Sequence, residues 1–442
     1  MWAESAVSRA SSFNRKTTVK LINRSSLLLC ASSVGLVAGC VTDAPRADDL
    51  VFQAPLGTTT YVYAQVEARA ACIARPVDQA AADPEPLYAD TTGWIRFGVM
   101  PSPTELTTRA LLDCTGPDGS VVERAVMFET LPSDATPHNV EPPAFPRLEV
   151  PALAGDPMAP TQDELAARGY PQRPDPVESP ARYARWLRAV STPKYIPLAE
   201  PIAGPSRHRP KQVENNSNSY NWSGAETNSN PGDYAWIDAV WNVPTLSNDP
   251  ARAYSVYHES AWPGLGDGDG NDNLIQAGVA DEYDALGNGT FLVYHQGWYE
   301  SLGDPGNGGQ MNFPSSQFPI AHSDEVGVEV AICNSDGTRQ ADAVHSCMSL
   351  ENYTENWLVE GAILPIGGAA STVNNRAEWI VERPSDSGSY GLTNYGSVTF
   401  EYLGPSNALG APLVTMINSS GQTMSQAAWD DDDLVVTYVR SE

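Results

Sequence analysis

The chain has 442 residues, 41 % hydrophobic and 9 % aromatic, with 35 Gly, 36 Pro and a formal net charge of −28 at pH 7. That length suits two or three domains, and many turn formers with few long charged runs argue against helical bundles and for β-rich structure. The last 232 residues hold 31 acids against 6 Lys or Arg, a surface that repels nucleic acid and anionic lipid and keeps little positive charge in acid.

Arg15, Lys16, Lys20 and Arg24 precede "SLLLCASSVGLVAGC", an apolar run that ends in small residues and Cys40. The run is too short for a spanning helix and reads as a targeting segment. "VAGC", residues 37–40, resembles a bacterial lipobox, where a signal is cut and the new N-terminal Cys takes lipid. An ordinary secretory signal with an incidental Cys is the competing reading. The expectation is a lipoprotein signal over 1–40 and a membrane anchor on Cys40. The protein is then exported, to the bacterial cell envelope (as an outer-membrane or surface lipoprotein) or outside the cell. Cys30 leaves with the signal. Cys72 and Cys114, then Cys333 and Cys347, form two even pairs, which in an exported chain read as two disulfides. The second closes a short loop around "NSDGT", worth about 3 kcal/mol if unstrained.

"TTTYVYAQVEARAACIARPV", "GWIRFGVM" and "TTRALLDCTGPDGSVVERAVMFETL" alternate with period two, the last around a "GPDGS" turn. Residues 41–131 therefore read as a small β-sandwich domain of unstated role, tied by Cys72 and Cys114. Residues 131–210 contain 17 of the 36 prolines, a density that marks 132–210 as a linker. Two short helices interrupt it. Thr161 to Glu164 has capping-box spacing, with Gly169 as a stop. "SPARYARWLRAV" places Ser179 as N-cap and Pro180 at the first helical position, with Tyr183, Trp186, Leu187 and Val190 on one face. A lone helix of this length is marginal in water and must dock. Two sites are expected: across the cleft of the next domain as a latency device, or against the first domain.

From residue 211 to 442, eleven or more short strands alternate with Gly, Asn, Asp and Pro, and no helical period is sustained. The expected fold is all-β, a two-sheet antiparallel sandwich. No GxSxG is present, and His258, His295, His322 and His345 lie in no HExxH. "GLGDGDGNDN" fails the calcium-loop spacing: counted from Asp267, positions six and twelve are Asp272 and Gly278, not Gly and Glu. No metal and no cofactor is expected.

Two strands carry an isolated polar residue among apolar neighbours. In "NLIQAGV", Gln276 shares a face with Leu274 and Gly278. In "AEWIVE", Glu378 shares a face with Ile380 and Glu382, opposite Ala377, Trp379 and Val381. A carboxylate takes a proton from water and an amide N–H₂ steadies an oxyanion, so the two make chemical sense together. From spacing alone, two ordinary satisfied polar groups is the competing account.

"NWSGA" (221–225), "WPGLGDG" (262–268), "LIQAG" (274–278), "WYE" (298–300), "AEWIVE" (377–382) and "LTNYGSVTF" (392–400) together resemble, in order, the signatures of the glutamic peptidases or eqolisins. These are acid endopeptidases on a concanavalin-A-like sandwich. The resemblance covers about half the chain and stops short of 41–210. It implies Glu378 as catalytic glutamate and Gln276 as catalytic glutamine, with Trp222, Asp267, Trp298 and Glu300 lining or supporting the substrate cleft. It also implies polypeptide substrates. A monomer is expected, and the acidic surface implies no nucleic-acid partner. This sequence departs from the pattern at Gln296 and Ser301, where Asp and an aromatic are usual, and at Ala280, which displaces an expected Asp to 281. The hairpin "DEYDALGNGTF" is extended. A non-catalytic lectin-like or peptide-binding surface lipoprotein on the same sandwich is the alternative, with Trp262, Trp298 and the acidic 266–272 loop presenting the ligand. A glycosidase built on Glu378 and Glu300 leaves Gln276 without a role.

Overall fold

The structure, a computed structural model, describes residues 49–442 except 78–85, 169, 172, 178, 206–207, 209–211, 216, 228–233, 248–255, 267–272, 287–288, 303–308, 335–344, 366–374 and 385–389. The first strands are β1 (Leu50–Pro55), β2 (Thr60–Gln65), β3 (Ala71–Pro76), β4 (Leu87–Tyr88), β5 (Trp94–Met100), β6 (Thr107–Thr115) and β7 (Val121–Leu131). The proline-rich segment holds β8 (Arg147–Val150), α1 (Gln162–Ala167), α2 (Pro180–Ser191), β9 (Lys194–Pro197) and β10 (Ile202–Gly204). Next come β11 (Val213–Asn215), β12 (Asn218–Ser219), β13 (Trp222–Glu226), β14 (Trp236–Asn242), β15 (Val256–Gly266), β16 (Leu274–Ala285), β17 (Phe291–Leu302) and β18 (Gln310–Asn312). The chain continues through β19 (Glu325–Cys333), β20 (His345–Asn352), β21 (Trp357–Pro365), β22 (Arg376–Glu382) and β23 (Gly391–Leu392). It ends with β24 (Ser397–Gly404), β25 (Leu413–Ile417), β26 (Thr423–Asp430) and β27 (Asp433–Tyr438).

Strands β13, β22, β15, β16 and β17 lie side by side, all antiparallel. Beyond β17, β18 and β10 extend the sheet along one half of the strand, and β5 and β2 along the other. A second sheet runs β24–β14–β19–β20–β21. Strand alternation explains how they meet. Ala377, Trp379 and Val381 of β22, and Ile275, Ala277 and Val279 of β16, turn inward with Ile237, Trp241, Val328, Val330 and Leu350 of the second sheet. Ile380, Trp262, Leu274, Ala280 and Trp298 turn to the opposite face and form their own cluster with Trp222 and Val414.

The N-terminal strands do not stand apart. Strands β1, β7, β6, β3 and β4 form one sheet, closed over Phe97 of β5 and over Leu292 and Tyr294 of β17. The second layer of this small sandwich is β2 and β5, and β5 pairs with β17 at Phe291, Leu292 and Val293. The extended β16–β17 hairpin is therefore where the N-terminal region joins, and the composition change near residue 131 is not a break in hydrogen bonding. Cys72 is bonded to Cys114, and Cys333 to Cys347.

The capping box forms: Thr161 N–H donates to Glu164 Oε2 at 2.8 Å and Glu164 N–H to Thr161 Oγ1 at 3.2 Å. Helix α2 starts at Pro180, without a side-chain cap from Ser179. Its apolar face packs on Val150, Leu165, Tyr170 and Ile196 of the connector itself. Its arginines face the outer side of the second sheet, where Arg182 pairs with Glu329, Arg185 with Asp238 and Arg188 with Glu325. Both docking sites expected for α2 are corrected: it covers neither the cleft nor the first domain. An apolar face alone does not say which surface a helix chooses when charges on its flank have buried partners. Among the described residues, no helix is long and apolar enough to cross a membrane.

Candidate active site

Registers across the first sheet place the polar residues in rows, because directly opposed residues of antiparallel strands share a face. One row runs Glu226, Glu378, Gly264, Gln276, Glu300 across β13, β22, β15, β16 and β17. Gln276 and Glu378 thus flank Gly264 on one face, two strand spacings or about 10 Å apart at the backbone. One water bridging two side chains takes up about 5.5 Å of such a gap. A Cβ on Gly264 would meet Trp262 Cζ3 at 2.9 Å and Leu274 Cδ1 at 3.0 Å, so those two side chains cover it. In the sequence only the resemblance joins Gln276 to Glu378, since 102 positions separate them.

All four polar side chains of the row are buried, Gln276 to 2 % exposure and Glu378 to 4 %. Gln276 Nε2 donates to Glu300 Oε2 at 3.3 Å, so Glu300 fixes one amide hydrogen and orients the group. Gln276 Oε1 accepts no hydrogen bond among the described residues. Arg376 donates to Glu226 Oε2 at 3.2 Å at the far end of the row. Adjoining rows carry the aromatics. Trp262 lies opposite Ile380 and Trp298 opposite Gly278. Trp222 meets Trp262 edge to face, with centroids 5.0 Å apart, and Trp298 Nε1 donates to Ser260 Oγ at 3.0 Å. Trp222, Trp298 and Glu300 therefore join Gln276 and Glu378 on one face. Asp267 and Cys40 lie outside the described residues.

Several participants escape a reading of the sequence. Glu382 accepts from Trp262 Nε1 at 3.0 Å, and His208 Nδ1 stands 2.9 Å from the same carboxylate. The alternation of "AEWIVE" did put Glu382 on the face of Glu378; nothing in "RHRPKQ" signals that its histidine would reach it. The departures at 280 and 296 prove to be cross-strand partners, Ala280 opposite Gln296. Asp281, one position on, points to the inter-sheet core instead. There its Oδ1 lies 2.6 Å from His295 Nδ1. Burial, reinforced by the Asp281 charge, pushes the neighbouring Glu259 carboxyl well above the usual range. Among the described residues, no group of three or more His, Cys, Asp or Glu is placed to hold a metal ion.

Residues 220–438 match the model of the Peptidase A4 family. Among solved structures, scytalido-glutamic peptidase with a transition state analog inhibitor is similar at 19 % identity and TM-score 0.37, over 50 % of this chain and 98 % of that one. SCP-B, a member of the eqolisin family in a complex with the tripeptide Ala-Ile-His, is similar at 19 % and 0.35, over the same shares of the two chains. Aspergilloglutamic peptidase from Aspergillus niger is similar at 25 % and 0.31, over 41 % of this chain and 99 % of that one. No curated protein matches the chain.

Proposed function

We propose, from the premise that the C-terminal half of this chain belongs to the Peptidase A4 family, that it is an acid endopeptidase using Glu378 and Gln276 on an activated water. Ionised Glu378 takes a proton from a water held between the two side chains. The oxygen attacks the scissile carbonyl, and the Gln276 amide N–H stabilises the tetrahedral oxyanion. Glu378, now protonated, returns the proton to the leaving nitrogen as the C–N bond breaks. No covalent intermediate forms. Glu300 positions the Gln276 amide, and Trp222, Trp262 and Trp298 give an apolar lining for an extended polypeptide. The single observation that carries this reading is the row Glu378–Gly264–Gln276 on one sheet face.

The same reading makes the protein an exported monomer, anchored through lipid on Cys40 at the bacterial envelope. Two bonded cysteine pairs suit an oxidising compartment.

The test is hydrolysis of a denatured protein at acid pH by the purified chain, with and without pepstatin. Glu378→Gln is expected to abolish cleavage and Gln276→Ala to lower kcat by about a hundredfold or more, the scale of one lost oxyanion donor. Pepstatin is expected to have no effect. Cleavage by Glu378→Gln at the wild-type rate removes the mechanism.

A further inference from the structure

Two anchors, Gly204 and Gln212, flank His208 in the chain. Strand β10 pairs with β18 at the edge beyond β17. Gly204 is wedged there: a Cβ would meet the Tyr88 hydroxyl at 2.3 Å and Asn312 Nδ2 at 2.7 Å. Gln212 is held at the opposite edge, beside β13. Its N–H donates to Asn221 Oδ1 at 2.8 Å, and its carbonyl accepts from Ser219 Oγ at 3.1 Å and from the Tyr220 N–H at 2.8 Å.

His208, midway between the anchors, lies on the face itself and is 1 % exposed. Its ring stacks on the Trp298 indole with centroids 3.6 Å apart and planes inclined by 18°. Its Nδ1 lies 2.9 Å from Glu382 Oε2, the atom that also accepts from Trp262 Nε1. Trp298 stands two residues along β17 from Glu300, and Glu382 four residues along β22 from Glu378, so this pocket begins in the row next to Gln276 and Glu378. A planar ring with an N–H at its edge satisfies both walls at once: the face meets the indole and the N–H meets the carboxylate. An aliphatic side chain offers no donor to Glu382.

We propose, resting on the peptidase reading above, that Trp298 and Glu382 form a side-chain subsite of the cleft selective for an imidazole, and that His208 of this chain fills that subsite. The chain then competes with its own substrates, and external peptides carrying His at the matching position bind best once His208 is removed.

The test compares the full-length wild type with His208→Ala and with His208→Phe, which keeps the stack but not the donor. Amide exchange read by mass spectrometry needs no turnover. His208→Ala is expected to speed exchange over β10 and β18 by about tenfold or more, and His208→Phe by less; tenfold corresponds to the loss of one good contact. With an external peptide, His208→Ala is expected to turn over about tenfold faster than wild type. In peptides scanned with His or Ala at each position, it is expected to favour His at one position by about tenfold in kcat/KM. Unchanged exchange, unchanged turnover, or no position with a His preference overturns the inference. Faster exchange with no hydrolysis by any of the three proteins sinks the peptidase reading and leaves the occupied pocket as a peptide-binding site.

Discussion

A methyl group at position 266 would sit 3.2 Å from Glu378 Oε1 and 3.6 Å from Oε2. Gly266→Ala thus crowds the carboxylate without meeting backbone. We expect it to fold with an unchanged melting temperature and to lose roughly ten- to hundredfold in kcat, the cost of misplacing a reacting group by part of an ångström. Gly278 is the contrast. A Cβ there would lie 2.2 Å from the Ala261 carbonyl oxygen and 2.6 Å from Trp262 Cβ. Backbone has to move, so Gly278→Ala is expected to destabilise by about 1–3 kcal/mol, the range of overpacked cores, read as a lower urea midpoint. On the inner face, Glu259 stands beside Asp281 with its carboxyl raised by burial and by that charge. A raised folded pKa stabilises at low pH and is lost as pH rises through it. Glu259→Gln lacks that proton, so its urea midpoint is expected to fall less than wild type between pH 5 and pH 8. Parallel curves for the two proteins would remove this role for Glu259. The period of two made the face that carries Glu378 legible in the sequence, since it alone separates Glu378 from Trp379. It did not reveal the acid cluster, because shifting one acid from 280 to 281 moves it to the other side of the sheet.

At the scale of elements, α2 shows where the sequence stops informing. Its apolar stripe is plain in "ARYARWLRAV", and so are Arg182, Arg185 and Arg188 at spacings of three. Their partners are strand residues 53 to 147 positions away, on faces that only the register defines. Arg182 grips Glu329 with two bonds, of 2.7 and 2.8 Å, and both side chains are nearly buried. Arg185 is 3.5 Å from Asp238, which has no exposure. Burial pushes the Asp238 carboxyl up to about 7 despite that guanidinium. Removing Arg185 therefore costs more when Asp238 is ionised. Arg185→Met is expected to destabilise by about 3–5 kcal/mol at pH 8, the cost of an orphaned buried charge, and by clearly less at pH 4.5, where Asp238 is protonated. Equal losses at both values would show that the helix is held by packing and not by charge. The connector as a whole was legible only as proline-rich. That it lays bases on an acidic sheet and a histidine on an indole follows from long-range pairing, which composition does not encode.

For the whole molecule, the question is how stability responds to acid. Burial raises Asp238 and Glu259, and it raises Glu355, Glu401 and Asp433 with help from neighbouring acids. Each of these groups holds its proton more tightly folded than unfolded. Between the ordinary carboxylate range near pH ~4 and the folded values, the folded state carries more protons, so stability rises as pH falls. Asp90 acts in the opposite sense. Burial raises it, but bonds from Thr92, Ser316 and the Trp94 N–H outweigh burial and hold it below the usual range. Its contribution is present above pH ~4 and is lost as pH falls through its lowered value. The raised group is the larger, and it includes two carboxyls without exposure, Asp238 and Glu259. With only 6 Lys or Arg after residue 210, protonation also leaves that half with little self-repulsion. The urea midpoint of the full chain is therefore expected to be higher at pH 4.5 than at pH 7.5, and to turn down only below about pH 4 as Asp90 takes its proton. A midpoint that declines steadily from pH 7.5 to pH 4.5 would mean that the salt bridges of α2, not the buried neutral carboxyls, govern the balance. The fold would then be tuned to neutral conditions, and acid catalysis by this chain would lose its structural footing.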